Sequence, residues 1–263
     1  MNPVPTINCQ SPAHDRREKY LVLHYTAVDF QTSLDLLAGS NAEVSAHYLI
    51  PQRNDPTYPH PQLQVYQCVP EHHRAWHAGD SHWGQRPNLN DTSIGIENVY
   101  IPHIDPQTQR LVYPNWCTEQ IDVLIHLCQS ILTRHPDITP NHVVGHSDIA
   151  YWRKQDPGPK FPWHRLFEHK IGAWYDEDTK QNYLEQFHKL PIKDDIIAQF
   201  VRYGYRAPSD NASYAMLIAA FQMHFRNSKV DGQLDSETIA ILYALVDKYH
   251  CSSSTLDAVP TSA

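Results

Sequence analysis

The chain has 263 residues, of which 41% are hydrophobic and 11% are aromatic, so it can bury a core in one large domain or in two smaller ones. Its formal net charge of −8 argues against nucleic acid and anionic lipid as partners, because both attract basic surfaces. No apolar run reaches the roughly 20 residues that span a bilayer, so we expect no transmembrane segment. The sequence indicates no particular oligomeric state.

Residues 1–18 form a polar, proline-containing arm without the hydrophobic segment of a secretion signal. Two compartments therefore stay open: the cytoplasm, or the cell envelope with a signal removed before this numbering begins. The five cysteines are irregularly spaced and form no C-x-x-C pair, which predicts scattered free thiols rather than a disulfide framework or a thiolate zinc site.

The segment from residue 19 to residue 175 alternates strand and helix patterns. Apolar and β-branched runs predict strands at 20–26, 45–50, 63–69, 93–100 and 142–146. Helices are predicted at 31–39, at 118–135, where apolar residues recur with helical spacing, and from about Trp163 onward. This order predicts an α/β fold with a central mixed β-sheet flanked by helices.

The C-terminal part has a different character. Residues 171–191 lose hydrophobic periodicity and are rich in Asp, Lys and Gln, which predicts a connection, with the linker itself at 176–192. Three helical patterns follow at 194–203, 212–225 and 236–249, so we predict a small three-helix domain over 193–251. The last residues, 252–263, are predicted to be a flexible tail.

Two of the eighteen histidines stand where predicted strands end. His24 closes the first strand, and His146 follows a glycine at the end of the last one. Strand ends that are far apart in sequence can meet at one sheet edge, and neutral imidazoles suit zinc. A catalytic zinc takes three protein ligands, and either Asp148 or Asp156 could be the third.

Glu97 lies on the otherwise small face of the strand at 93–100. Its position fits either a solvated strand edge or a general base that takes a proton from a metal-activated water.

Several motifs in this order resemble the N-acetylmuramoyl-L-alanine amidases of the amidase-2, or peptidoglycan-recognition-like, family. The resemblance covers residues 18–170. It is carried by the segments 23–27 (LHYTA), 45–50 (SAHYLI), 75–79 (AWHAG), 90–97 (NDTSIGIE), 145–150 (GHSDIA), 153–159 (RKQDPGP) and 161–163 (FPW).

The resemblance implies specific roles for five residues. It makes His24, His146 and Asp156 the ligands of one Zn²⁺ per chain, which leaves Asp148 as a turn residue or a support for the ligands. It also makes Glu97 the catalytic carboxylate and places Lys154 near the scissile carbonyl, where it would stabilise the oxyanion.

Three further residues lie in the family motifs with weaker indications. His47 and His77 would either line the substrate groove or support the metal ligands. Trp76 would stack on sugar or peptide, or pack in the core.

The C-terminal helices resemble the small peptidoglycan-binding module of some of these amidases. The similar segments are 203–205 (YGY), 220–222 (AFQ) and 231–238 (DGQLDSET), whereas 226–229 (RNSK) replaces the proline expected after the middle helix. The resemblance implies glycan binding, and a packed helical appendage is the alternative.

The combined hypothesis is a zinc amidase that hydrolyses the bond between the lactyl group of ordinary or anhydro-N-acetylmuramic acid and L-alanine. Its substrate would be peptidoglycan or a muropeptide, which favours the cell envelope over the cytoplasm. A non-catalytic peptidoglycan-recognition protein and a zinc peptidase acting within the stem peptide are the alternatives. The chain lacks the H-E-x-x-H helix of many zinc peptidases.

Overall fold

The computed structural model describes residue 9 and residues 11–187 and 191–250. The predicted tail and Cys251 lie outside these residues. The described residues form nine strands: β1 (Tyr20–Tyr25), β2 (Tyr48–Ile50), β3 (Tyr66–Gln67), β4 (His82–Trp83), β5 (Arg86–Pro87), β6 (Ser93–Asn98), β7 (His103–Ile104), β8 (Leu111–Val112) and β9 (Val143–Gly145). They also form eight α-helices: α1 (Phe30–Ala38), α2 (Thr118–Arg134), α3 (His146–Ile149), α4 (Trp163–Glu168), α5 (Glu177–Gln186), α6 (Lys193–Tyr203), α7 (Asn211–Phe225) and α8 (Ser236–His250).

Five strands form a mixed central sheet in the order β3-β2-β6-β1-β9. Strand β1 lies between β6 and β9 and is parallel to both, β2 is parallel to β6, and the edge strand β3 is antiparallel to β2. The prediction of a mixed sheet flanked by helices is confirmed. The parallel arrangement brings the carboxyl ends of β1, β6 and β9 to one edge.

The sheet separates two apolar layers because successive side chains of a strand point to opposite faces. Leu21 and Leu23 of β1 pack on one side with β6 and the apolar face of α2. Tyr20 and Val22 point to the other side, into a second cluster. The apolar residues that recur with helical spacing in 118–135 therefore form the face that α2 buries.

The C-terminal helices supply much of the second apolar layer. Phe200, Tyr205 and Phe221 are fully buried there beside Val22 of the sheet and Trp83 of β4. The predicted three helices form as α6, α7 and α8, and they share one continuous core with the sheet.

Some local structure differs from the sequence-based prediction. Residues 171–191 were predicted to form a connection, but α5 occupies Glu177–Gln186 and packs against α8. Its hydrophobic periodicity is weak because Lys180 is its one buried residue. The hairpins β4-β5 and β7-β8 were not predicted, since two-residue strands carry too few side chains to show alternation.

Four described cysteines, Cys9, Cys68, Cys117 and Cys128, are unbonded. No helix among the described residues is long and apolar enough to cross a membrane.

Candidate active site

Three buried side chains meet at the carboxyl edge of the sheet. His24 is near the end of β1, His146 begins α3 directly after β9, and Asp156 lies in the loop that follows. The Nδ1 atoms of His24 and His146 are 3.0 Å apart, and each is 3.0 Å from Oδ2 of Asp156. The structure therefore brings together the three residues that the sequence predicted as metal ligands.

A chain of hydrogen bonds determines which nitrogen of His24 carries the proton. Ser93 Oγ donates to the carbonyl oxygen of Leu89 at 2.7 Å, so it must accept from Nε2 of His77, 3.1 Å away. Nδ1 of His77 is then the acceptor for Nε2 of His24 at 3.0 Å. His24 consequently directs the unprotonated Nδ1 toward Asp156.

The second imidazole is oriented in the same way. Nε2 of His146 lies 3.2 Å from the carbonyl oxygen of Ala78, which can only accept, and 3.2 Å from Nη2 of Arg153, which already donates to the same carbonyl at 2.5 Å. Donation from Nε2 to Ala78 leaves Nδ1 unprotonated. Both Nδ1 lone pairs and a carboxylate oxygen therefore converge without a proton between them. Such a cluster of acceptors requires a cation, so His24, His146 and Asp156 form a possible metal site.

The electrostatics of the cluster favour the same protonation states. Burial and the neighbouring His146 lower the pKa of His24 from 6.5 to about 4. Burial alone would raise the pKa of Asp156, but His146 and His24 hold it well below its usual range. Neutral imidazole and ionised carboxylate are the forms that bind a metal.

Glu97 stands beside this cluster. It pairs with His24 in the parallel register of β1 and β6, so both side chains lie on the same face of the sheet. Burial, and then the charge of Asp156, raise the pKa of Glu97 to about 8, while Lys154 opposes the shift. Its Oε2 atom is buried and has no hydrogen-bond partner among the described residues.

A cleft of about 450 Å³ opens above these groups. Glu97, His146 and Asp156 lie at its floor, and Lys154 also lines it. Trp76, with 57% of its surface exposed, forms part of the wall. The cleft is thus accessible to a substrate and offers an aromatic face next to the reactive groups.

The other histidines of the family motifs have supporting positions. His77 lines the cleft, but both of its ring nitrogens are engaged by His24 and Ser93. The structure therefore gives His77 the role of orienting His24, which was the alternative to substrate binding in the sequence analysis. The substrate-binding role considered for His47 is wrong, because its side chain is fully buried and bonds at Nδ1 to the amide of Gly95 and at Nε2 to the carbonyl of His73.

Arg153 is a site residue for which the sequence analysis proposed no role. Its guanidinium donates to the carbonyl oxygens of Ala78 at 2.5 Å and Asp80 at 2.9 Å, and so braces the turn that orients His146. Its position next to Lys154 in the motif at 153–159 was the available signal.

The fold and the site together have the arrangement of an α/β hydrolase: three buried side chains that could hold a metal ion, the adjacent carboxylate of Glu97 and an open cleft.

Comparison with known proteins identifies the family. Residues 14–159 match the family described as N-acetylmuramoyl-L-alanine amidase. N-acetylmuramoyl-L-alanine amidase AmiD of Escherichia coli K12 is 41% identical over 244 residues, which cover 91% of this chain and 86% of AmiD. This chain therefore belongs to the N-acetylmuramoyl-L-alanine amidase family and is an amidase.

Solved structures agree with this assignment. AmpDh3 of Pseudomonas aeruginosa superposes with a TM-score of 0.88 at 47% identity, covering 94% of this chain and 99% of AmpDh3, and it has also been solved in complex with anhydromuramic pentapeptide. AmiD of E. coli, solved with anhydro-N-acetylmuramic acid-L-Ala-D-γ-Glu-L-Lys, has a TM-score of 0.82 at 40% identity and covers 92% of this chain and 93% of AmiD.

Proposed function

We propose that this chain is a zinc amidase that cleaves the amide bond between the lactyl group of N-acetylmuramic acid, including its anhydro form, and L-alanine of the stem peptide. The observation that carries the proposal is the convergence of two imidazole lone pairs and one carboxylate oxygen beside the unpaired Oε2 of Glu97.

The ligand set suits zinc in both chemistry and size. Zinc binds imidazole nitrogen and carboxylate oxygen at about 2.0–2.2 Å in tetrahedral sites, which corresponds to spacings of about 3.3–3.6 Å between ligand atoms, a few tenths of an ångström wider than those in this structure. The three spacings here are each 3.0 Å. Three protein ligands are typical of catalytic zinc, which keeps one position for water or substrate. We therefore assign one Zn²⁺ to His24, His146 and Asp156.

Zinc, when bound, supplies Lewis-acid activation of a water molecule and of the scissile carbonyl. Glu97 faces the same cleft and acts as the general base that takes a proton from the attacking water. Glu97 then returns that proton to the departing amine of L-alanine. A cation held by His24, His146 and Asp156 would favour the ionised form of Glu97, which the general base requires.

Lys154 offers a positive charge to the oxyanion that forms during the reaction. It lines the cleft on the loop that carries Asp156, where its ammonium can donate to the oxyanion that forms at the carbonyl. A single donor of this kind is worth roughly 3 kcal/mol of transition-state stabilisation.

The cleft and the relatives support a muropeptide as the substrate. The exposed ring of Trp76 offers a face for the sugar or the peptide next to Glu97. AmpDh3 and AmiD, which match nearly the whole chain, have both been solved with anhydromuramyl peptides.

Because peptidoglycan is a wall polymer, we place the protein in the cell envelope. Detection of the native chain in an envelope fraction rather than in cytosol would test that location.

One digestion experiment tests the reaction. The full chain is incubated with an anhydromuramyl tripeptide and with its ordinary muramyl counterpart, before and after dialysis against a chelator. Mass spectrometry should show the free sugar and a peptide beginning with L-alanine, with activity lost on dialysis and restored by zinc. Cleavage between amino acids would indicate a peptidase, and binding without cleavage would indicate a recognition protein.

A further inference from the structure

The strongest unexplained feature outside the cleft is a fully buried carboxylate two residues after the metal ligand His146. Asp148 is 1% exposed and lies within α3. Its Oδ1 atom accepts from the hydroxyl of Tyr205 at 2.7 Å, and its Oδ2 atom bonds to Nδ1 of His224 at 2.7 Å. Both partners belong to the C-terminal helical region, since Tyr205 follows α6 and His224 lies in α7.

Asp148 also holds the turn from which His146 projects. Its Oδ2 atom accepts from the backbone amide of Gly145 at 2.7 Å, and so fixes the junction between β9 and α3. The amide of Ser147 in turn donates to the carbonyl oxygen of Asp156 at 2.7 Å. The carboxylate of Asp148 is therefore bonded within the backbone segment that positions two of the three ligands.

The close packing around Gly145 leaves little freedom for this turn. A Cβ atom at Gly145 would lie 2.7 Å from Cδ of Pro157, 3.2 Å from Trp163 and 3.3 Å from Oδ2 of Asp148. His224 stacks on Trp163 with a ring-centroid distance of 3.7 Å. The C-terminal helices thus contact the ligand-bearing segment both through hydrogen bonds and through ring packing.

The ring of His224 has no other polar partner to attract it. Its Nε2 atom is buried without a hydrogen-bond partner among the described residues, so Nδ1 makes its polar contact with Asp148. A buried carboxylate needs such donors, because leaving it unpaired in an apolar interior is costly. Without Tyr205 and His224, Asp148 would have to reorient, and the amide of Gly145 would lose its acceptor.

We propose that Tyr205 and His224 are positioning residues for the metal site, acting on His146 through Asp148. The C-terminal helices then form part of the framework of the active site, whatever affinity they have for glycan. This inference rests on the proposed zinc amidase function, because it concerns the geometry of that site.

The test uses the full chain with three substitutions. Tyr205→Phe removes one hydroxyl, and His224→Phe keeps the ring but removes the donor, whereas His224→Asn keeps a donor close to the position of Nδ1. Tyr203→Phe is the matched control, because its hydroxyl is also buried but has no hydrogen-bond partner among the described residues. The readouts are zinc affinity by competition with a chromogenic chelator, the visible spectrum of the Co²⁺-substituted protein, kcat, KM and Tm.

Tyr205→Phe and His224→Phe should weaken zinc binding by roughly 10-fold, the lower end of the effect of losing a direct partner of a ligand, because both residues act on His146 through Asp148. They should also alter the Co²⁺ spectrum and lower kcat at saturating zinc without changing KM. His224→Asn should recover zinc affinity relative to His224→Phe, and Tyr203→Phe should resemble the wild type.

A lower Tm in both the metal-free and the zinc-loaded protein, with unchanged zinc affinity and spectrum, would mean a purely structural role and would overturn the inference. In that case the proposed function stands. Failure of the wild-type chain itself to bind zinc would overturn both.

Discussion

Two residues of β6 illustrate how single side chains shape the site. Glu97 faces the cleft with an unpaired oxygen, and Gly95, two residues earlier, has no side chain. A Cβ atom at Gly95 would lie only 2.4–2.6 Å from the ring of His77, so the absence of a side chain lets that ring approach the sheet and reach His24.

Substitution Glu97→Gln should leave the metal content unchanged and lower kcat by roughly 10²- to 10⁴-fold, because the amide cannot take the proton of the attacking water. The measurement is turnover of a muramyl peptide together with zinc analysis of the same preparation. Glu43→Gln, at an exposed carboxylate outside the catalytic group, is the control. Normal turnover by the Glu97 variant would remove this residue from the mechanism.

Substitution Gly95→Ala should displace His77 and deprive Nε2 of His24 of its acceptor. We expect zinc affinity to fall by roughly 10-fold or more, as for other losses of a ligand's hydrogen-bond partner. Chelator competition measures this effect. Unchanged affinity would show that the orientation of His24 does not depend on His77.

At the scale of elements, α2 is anchored to the sheet by a polar cluster as well as by its apolar face. Glu71 accepts hydrogen bonds from Arg134 at the end of α2, from His135 directly after it, and from the hydroxyl of Tyr48 in β2. Burial alone would raise the pKa of Glu71, but these hydrogen bonds lower it from 4.5 to about 2.

The lowered pKa of Glu71 predicts that its hydrogen bonds stabilise the folded chain less at acidic pH. Because the pKa of Glu71 is lower in the folded chain, the contribution is complete above about pH 5 and is lost as the pH falls toward 2. Glu71→Gln should cost roughly 1–3 kcal/mol of unfolding free energy at pH 7 and less at pH 3. Urea titrations at both pH values measure this difference. The exposed Glu168→Gln is the control, and an equal cost at both pH values would contradict the assignment.

At the scale of the whole molecule, the C-terminal helices and the sheet bury one another. The sequence divides the chain into a catalytic domain at 19–175 and a helical domain at 193–251, and this division remains a prediction. The structure shows Phe200, Tyr205 and Phe221 packed into the layer that also contains Val22 and Trp83. Removing these rings would expose a large apolar face of the sheet.

A chain ending at Tyr175 should therefore lose its cooperative thermal transition or remain insoluble. The physical reason is the loss of the apolar partners that cover one face of the sheet. Differential scanning calorimetry of the truncated and full chains is the measurement. A truncated chain with a cooperative transition at the full-length Tm would show that residues 19–175 fold independently of the helices.

Much of the fold could be predicted because the apolar patterns that indicate its strands and helices lie within short segments of the sequence. Strand β1, inside the sheet, is a continuous apolar run, and α2 has apolar residues at helical spacing, so both were predicted to within a residue or two. Helix α5 was missed because it buries little surface, and such helices depend on a neighbour such as α8 rather than on their own pattern.

The reactive residues were predicted for a related reason. His24, Glu97, His146, Lys154 and Asp156 lie in the motifs that carry the family resemblance, and the structure places Glu97, His146, Lys154 and Asp156 around one cleft with His24 beside His146 and Asp156. The wrong role for His47 arose because a motif shows that a residue matters but does not show which way its ring faces.

The amino-acid sequence by itself indicated the mixed sheet, the long helix α2 and the three C-terminal helices, because their periodicity is local, and its resemblance to a family indicated His24, His146 and Asp156 as candidate metal ligands. Only the tertiary structure decided the proton positions along the chain from Ser93 through His77 to His24, and the contact of Asp148 with the C-terminal helices. These features depend on hydrogen-bond direction and on packing between residues up to 76 positions apart, which no local pattern records.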